Sequence, residues 1–328
     1  MRPFTYARAA TVDEALGALR DPGTRLIACG TELVNWLKEG IETPARLVDI
    51  TGLPLAGIDV SDDGGLRLGA LARMSDVAAH PTVRDRFPVL AESLHRAASA
   101  QLRNMATIGG NLMQRTRCPY FRADVELPCN KRLPGSGCAA LDGGDTSSHA
   151  IFGWSNDCAA TFPSDLAVAL AALDATVTAV GERGVRRIPA TGFHRLPGTE
   201  PARHNELAPD ELIVAVDVPA APGASHYLKV RERASYEFAV VSAAVTLHAE
   251  DGVIGDARIA LGGVAHRPWR LPAAEQALAG IALDDPAGLR AAVARSFTDA
   301  RPLPGNKFKV ELAQRAAVRA LRTAGGVQ

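Results

Sequence analysis

The sequence predicts an α+β protein of two or three domains, and three observations carry that prediction. The 328 residues exceed what one ordinary domain needs. Through the first two thirds, short strand patterns alternate with short helical ones. From about Ser225 the character changes to a long hairpin followed by helices. Hydrophobic residues at 47% and charged residues at 22% are those of a soluble globular chain with a sizeable core. Lys+Arg and Asp+Glu are both 36, so no net field steers the chain to nucleic acid or anionic lipid. No apolar run approaches the roughly 18 residues of a membrane span, so membrane insertion is not expected. The opening Met1-Arg2-Pro3-Phe4-Thr5-Tyr6 has no apolar h-region, so no signal peptide is expected in this chain.

In chain order, Thr11-Val12-Asp13-Glu14 is a capping box that opens a helix reaching about Arg20, where Asp21-Pro22-Gly23 breaks it. Residues 25–28 read as a buried strand and Cys29-Gly30-Thr31 as a tight turn. Residues 32–39 read as a helix with Leu33, Trp36 and Leu37 on one face and Gly40 as its stop. A strand that runs through a small-residue turn into a helix leaves backbone N–H groups unpaired at a positive helix end, which suits a phosphate. An ordinary βα turn is the plainer reading of one such turn alone. Residues 46–50 and 66–69 are further strands, and residues 87–100 an amphipathic helix. Then comes a second small-residue turn, Ala106-Thr107-Ile108-Gly109-Gly110-Asn111. Two turns in one domain suit the two phosphates and long body of a dinucleotide. Neither matches G-x-G-x-x-G or a Walker pattern, which disfavours Rossmann and P-loop folds.

Further on, Pro163-Ser164-Asp165 opens a helix to about Leu173, with Ser164 as N-cap and Asp165 dipole-favoured in the first turn. Residues 175–180 and 212–218 read as strands and residues 183–210 as a polar connection. A strand over 227–230 carries Lys229. Strands over 238–249 and 253–261 flank Asp251-Gly252, a hairpin signal. Helices follow over 273–279, 286–300 and 308–321, the last basic and amphipathic and expected to present a solvated face. The eight histidines form no H-x-x-x-H or H-E-x-x-H pattern, and His149 reads as a surface residue, with a place near a cluster as the alternative. Cys29 reads as a small packed residue, with a reactive thiol as the alternative.

Between the second turn and Ser164 lies a segment of another kind. Four of the five cysteines, Cys118, Cys129, Cys138 and Cys158, fall there among Pro119, Pro128, Pro134, Gly135, Gly137, Gly143 and Gly144. With little apolar periodicity, such a segment must be held by something else. Its C-x10-C-x8-C-x19-C spacing fits neither a zinc ribbon nor a compact ferredoxin run, and iron–sulfur cluster, zinc and disulfides all remain open. Arg115, Arg117, Arg122, Lys131 and Arg132 crowd the same segment and would stabilise the roughly −2 charge of a four-thiolate [4Fe–4S] centre.

Taken together, these residues resemble the FAD-binding subunits of the xanthine dehydrogenase, or molybdenum hydroxylase, family, over nearly the whole chain. Ala28-Cys29-Gly30-Thr31-Glu32-Leu33 is similar to the family's first flavin motif, A-G-G-T-D-L, with Cys29 in place of a glycine and Glu32 in place of Asp or Asn. Thr107-Ile108-Gly109-Gly110-Asn111 matches its second motif unchanged. Ser164-Asp165 resembles the family's Ser-Asp pair, here delayed by the cysteine segment. Ile213 falls at a flavin-contacting position of the strand over 212–218. Lys229 before Arg231 and Arg233, and Leu261-Gly262-Gly263-Val264, resemble features of the second domain. The segment from Gln114 through Cys138 is similar to the insert of a subset that holds a [4Fe–4S] cluster. That subset includes the three-subunit periplasmic aldehyde oxidoreductases.

The resemblance implies a two-lobed N-terminal FAD-binding domain of the vanillyl-alcohol-oxidase/PCMH type over 1–222, carrying the insert over 115–160. A C-terminal α+β domain of the CO dehydrogenase flavoprotein type follows over 223–328. It implies FAD contacts from Leu26, Ile27, Ala28, Cys29, Gly30, Thr31, Glu32 and Leu33, and from Thr107, Gly109, Gly110 and Asn111. Both turns would bind pyrophosphate and ribose through backbone N–H groups. Asp165, Ile213 and Lys229 would lie at the flavin, and no side chain need act as a catalytic acid or base. Cys118, Cys129, Cys138 and Cys158 would hold the cluster. The chain lacks a C-x4-C-x2-C run for a [2Fe–2S] site and any molybdopterin motif. Family logic then demands a [2Fe–2S] subunit and a molybdenum-cofactor subunit as partners, with an external electron acceptor. Export to the periplasm would depend on a partner's signal; otherwise the complex would be cytoplasmic. Two alternatives stand beside this reading. One is a stand-alone FAD-dependent oxidoreductase whose insert is stapled by zinc or disulfides. The other is a binding or assembly module that uses the insert for docking.

Overall fold

The computed structural model describes residues 1–220 and 223–327. The domain boundary expected after residue 222 falls on Ala221 and Pro222, which lie outside the described residues.

Three short parallel strands, Thr5–Arg8, Arg46–Asp49 and Thr24–Ile27 in that order, form the first lobe. Thr11 caps the helix Val12–Leu19 by accepting the Glu14 N–H at 3.1 Å. Glu14 in turn accepts the Ala10 N–H at 2.7 Å, so the box closes one residue upstream of its usual form. The helix Leu33–Lys38 buries Trp36 and Leu37 and stops before Gly40, whose φ is 67°.

A five-stranded antiparallel sheet builds the second lobe, in the order Ile58–Val60, Leu66–Gly69, Leu212–Val218, Thr176–Gly181, Gly184–Pro189. Two of these strands precede the cysteine insert and three follow it, so the lobe closes around the insert. The helix over 87–100 is interrupted. It runs Pro88–Arg96, Ala98 turns to a φ of 47°, and a separate turn, Ala100–Arg103, is capped by Ser99. Residues 183–210 are not all connection, because Gly184–Pro189 pairs with Thr176–Gly181. Its Ile188 alone is buried, and an edge strand that carries Arg186 and Arg187 shows no strong apolar alternation.

Every residue of the helix Asp165–Ala172 is buried, because it packs against the C-terminal sheet as well as second-lobe elements. That sheet has the order Trp269–Arg270, Val253–Gly262, Val241–Glu250, Ala224–Val230, all antiparallel. Asp251 and Gly252 take φ of 50° and 77°, the two positive values of a type I′ hairpin turn. The helices Pro272–Leu278 and Pro286–Ala294 follow, the latter shorter than expected and continued by a 3-10 turn at Arg295–Phe297. The last helix, Phe308–Ala324, is not merely a solvated face. Ala313, Ala316, Ala317, Ala320 and Leu321 are buried against the sheet. Among the described residues no helix is long and apolar enough to cross a membrane.

Candidate functional site: the flavin groove and the cysteine insert

The two glycine turns prove physically different. Ala28, Cys29, Gly30, Thr31 and Glu32 donate no backbone N–H to any other described residue. Gly30, at φ 73°, bends this run of donors, and a Cβ there would stand 2.9 Å from Val34 Cγ2. Consecutive open N–H groups ahead of a helix form an anion cradle. Cys29 is half-buried rather than packed away, and burial raises its thiol pKa.

The second turn is a short helix, Ile108–Leu112, and its donors are engaged. Ile108 N–H reaches Ala72 O at 3.0 Å, Gly109 reaches Ala70 O at 2.8 Å, and Asn111 reaches Thr107 O at 2.8 Å. Gly110 N–H is capped by Thr107 Oγ1 at 3.2 Å. The expectation that this turn binds through its backbone N–H groups is therefore corrected for residues 108–111. What it offers is the Gly110 backbone surface and the Asn111 amide, whose Oδ1 accepts the Ser164 hydroxyl at 2.5 Å.

Asp165 and Lys229, each expected at the flavin, pair with each other. Lys229 Nζ lies 2.8 Å from Asp165 Oδ2 and donates to Arg96 O at 3.0 Å, and Tyr227 O–H donates to Asp165 Oδ1 at 2.5 Å. Burial pushes the Asp165 carboxyl up, opposed by the Lys229 ammonium and the Tyr227 hydroxyl. Ile213 sits in the second-lobe core and lines neither cavity described below. Leu26 packs on the first-lobe core. Ile27 ends its strand, and Leu33 begins the following helix.

Two cavities adjoin along this groove. One, of about 250 Å³, is lined by Thr31, Glu32, Gly110, Asn111, Asp165 and Arg117 among others. The second, of about 320 Å³, shares Arg117 and Asp165 and extends past Cys118 to Gly262, Gly263 and Lys309. Burial lowers the Lys309 pKa to about 8, while its Nζ donates to His149 O and Gly263 O. Open donors, a groove running between turn and sheet, and a Gly262-Gly263 wall fit an extended dinucleotide. No local motif marks Arg117, Lys309, Tyr236 or Phe238 as groove residues, yet all four line the cavities. Only the fold brings the loop of Tyr236 and Phe238 over the first turn.

In the insert, Cys118, Cys129 and Cys158 are buried together with Phe121 and Ala160, and Cys138 is partly exposed. None of the cysteines forms a disulfide. Burial pushes the thiols of Cys118 and Cys158 up to about 12 and about 11. His149 is not a surface residue: it is 1% exposed, with Nε2 3.4 Å from Cys118 Sγ. His266 Nε2 stands 3.3 Å from Cys158 Sγ. Among the described residues no group of three or more His, Cys, Asp or Glu converges as a single metal-ion site.

The arginines do not crowd the cysteines. Arg115 pairs with Glu42 at 2.5 Å, Arg117 with Glu32 at 2.6 Å, and Arg122 with Glu32 and with Glu39 at 2.9 Å. Arg132 donates to Ala123 O and Glu39 O. The first lobe thus carries the carboxylates that hold the insert in place. Lys131 is the cation whose field reaches Cys158, Cys129 and Cys118, and burial lowers its pKa.

A groove with open anion donors between a two-lobed domain and an antiparallel sheet suits a protein that carries an extended, phosphate-bearing cofactor. The chain belongs to the molybdopterin dehydrogenase flavoprotein family: residues 2–221 match the FAD binding domain in molybdopterin dehydrogenase, and residues 226–324 match the CO dehydrogenase flavoprotein C-terminal domain. It is similar to the aldehyde oxidoreductase FAD-binding subunit PaoB of Escherichia coli (strain K12), 49% identical over 99% of both chains. It is also similar to the glyceraldehyde dehydrogenase medium chain of Sulfolobus acidocaldarius, 26% identical over 86% of this chain and 83% of that one. Among solved structures, carbon monoxide dehydrogenase from Hydrogenophaga pseudoflava matches with a TM-score of 0.76 and 26% identity, covering 99% of each chain. Quinoline 2-oxidoreductase from Pseudomonas putida 86 shares the fold, with a TM-score of 0.76 over 99% of this chain and 98% of that one. The chain is an FAD-binding oxidoreductase subunit of the α+β fold expected.

Proposed function

We propose that this chain is the FAD- and [4Fe–4S]-carrying electron-transfer subunit of a heterotrimeric molybdenum-containing aldehyde oxidoreductase. It takes electrons from a partner [2Fe–2S] subunit and passes them to an external acceptor. A molybdenum-cofactor subunit completes the complex and oxidises the aldehyde. The observation that carries the reading is the gathering of the insert cysteines beside the flavin groove, with Cys118 lining the same cavity as Asp165. FAD, when bound, accepts electrons one at a time and holds them in pairs. The chain's own work is to bind and orient it. The turn over 28–33 cradles anionic oxygens, Gly110 and Asn111 form the facing wall, and the Asp165–Lys229 pair fixes the groove's floor. The cluster is held by Cys118, Cys129, Cys138 and Cys158, with Lys131 offsetting part of its charge. Similarity over the full length to PaoB, an aldehyde oxidoreductase FAD-binding subunit, supports the aldehyde class and the presence of partner subunits. The insert's likeness to periplasmic members supports export with a partner that carries the signal.

Iron and acid-labile sulfide per FAD, on protein purified without oxygen, test this. About four of each per flavin are expected, and zinc or no metal in their place would return the stand-alone flavoenzyme to the front. Cys129→Ser should lose the iron and keep the FAD. If the cluster is an outlet or a staple, the variant's FAD in the complex is still reduced by substrate while turnover or stability falls; abolished FAD reduction would make it an obligatory relay.

A further inference from the structure

We propose that Arg117, a residue of the cysteine insert, binds the pyrophosphate of FAD, so that the insert completes the flavin site. The side chain lines both cavities of the groove, at the point where they adjoin. One terminal nitrogen holds Glu32 Oε2 at 2.6 Å, which places the guanidinium beside the turn whose five N–H groups are open. Nη1 has no hydrogen-bond partner among the described residues, and Nε is buried without one, so the guanidinium's donors are incompletely used. The Phe238 ring packs on the guanidinium 4.8 Å from its centroid and fixes its plane. Around Glu32, Glu39 and Glu42 stand Arg25, Arg115, Arg117 and Arg122, four arginines in ion pairs with three carboxylates, while Glu232 and Glu237 also line the cavities. A guanidinium with an unpartnered Nη1 beside the open turn is suited to a phosphate oxygen, and the pyrophosphate is the anionic centre of FAD.

The sequence position gives the contact a second meaning. Arg117 adjoins Cys118, so flavin binding and the ordering of the insert's first cysteine are properties of one dipeptide. Without the insert no backbone would carry this guanidinium to the groove.

The test is reversible removal of flavin from the full-length chain, followed by titration with FAD and, separately, with riboflavin, which lacks the pyrophosphate. Arg117→Ala should bind FAD about tenfold to a hundredfold more weakly and riboflavin as the parent does. Its FAD affinity should also fall less steeply with salt. Iron content equal to the parent's shows that the insert remains assembled. Arg117→Lys keeps the charge without the two-pronged edge and should fall between the two; it carries the test if the alanine variant does not fold. Unchanged FAD affinity would overturn the proposal. So would an equal loss for FAD and riboflavin, which would assign Arg117 to shaping the groove.

Discussion

The flavin groove has one open wall and one closed wall. On the open wall, Ala28 through Glu32 present backbone donors with no partner among the described residues. On the closed wall, the donors of Ile108, Gly109, Gly110 and Asn111, the Ser164 hydroxyl and the Asp165 carboxylate all have protein partners. Two glycine turns that look alike in sequence therefore do different work. Gly30 bends a run of open donors, while Gly109 allows close packing: a Cβ there would come 3.0 Å from Ala70 Cβ and 3.1 Å from Ala70 O. The open wall should govern affinity, and the closed wall stability.

The largest effect on stability belongs to the closed wall. Lys229→Met leaves the buried Asp165 carboxyl without its cation and should cost about 3 kcal/mol in denaturant unfolding. Adding Asp165→Asn should recover part of that, since the unpaired charge is gone; no recovery would mean the pair matters through packing alone. Next comes Gly109→Ala, which forces the helix Ile108–Leu112 away from Ala70 and should cost about 2 kcal/mol. FAD affinity should fall only as far as folding does. The smallest stability loss, about 1 kcal/mol, is expected for Gly30→Ala, since the φ of 73° is unfavourable with a Cβ. Its FAD affinity should drop by more than the stability loss explains, because the donors on either side turn away. If Gly30→Ala and Gly109→Ala shift both quantities in the same ratio, the distinction between the walls fails.

Much of this was legible in the chain. Local rules suffice for the Thr11 cap, the Asp251-Gly252 hairpin and the Ser164 cap, because each depends on residues within a few positions. They fail for Ala98, whose positive φ ends a helix that alanine favours. They fail again for Gly184–Pro189, where only Ile188 marks a buried side. The arginines of the insert illustrate the same limit. Their number suggested counter-charge for a cluster, and their partners are glutamates some 80 residues earlier, on the first lobe.

By itself the sequence determined the class of fold, both glycine turns, the four insert cysteines and the residues Asp165 and Lys229, since motif and spacing are one-dimensional. Only the tertiary structure decided which turn is open and that Asp165 faces Lys229. It also decided that His149 is buried against Cys118 and that Arg117 reaches the groove. Those facts depend on which donors find partners when distant segments close on one another, and hydrogen bonding between remote residues leaves no local pattern to read.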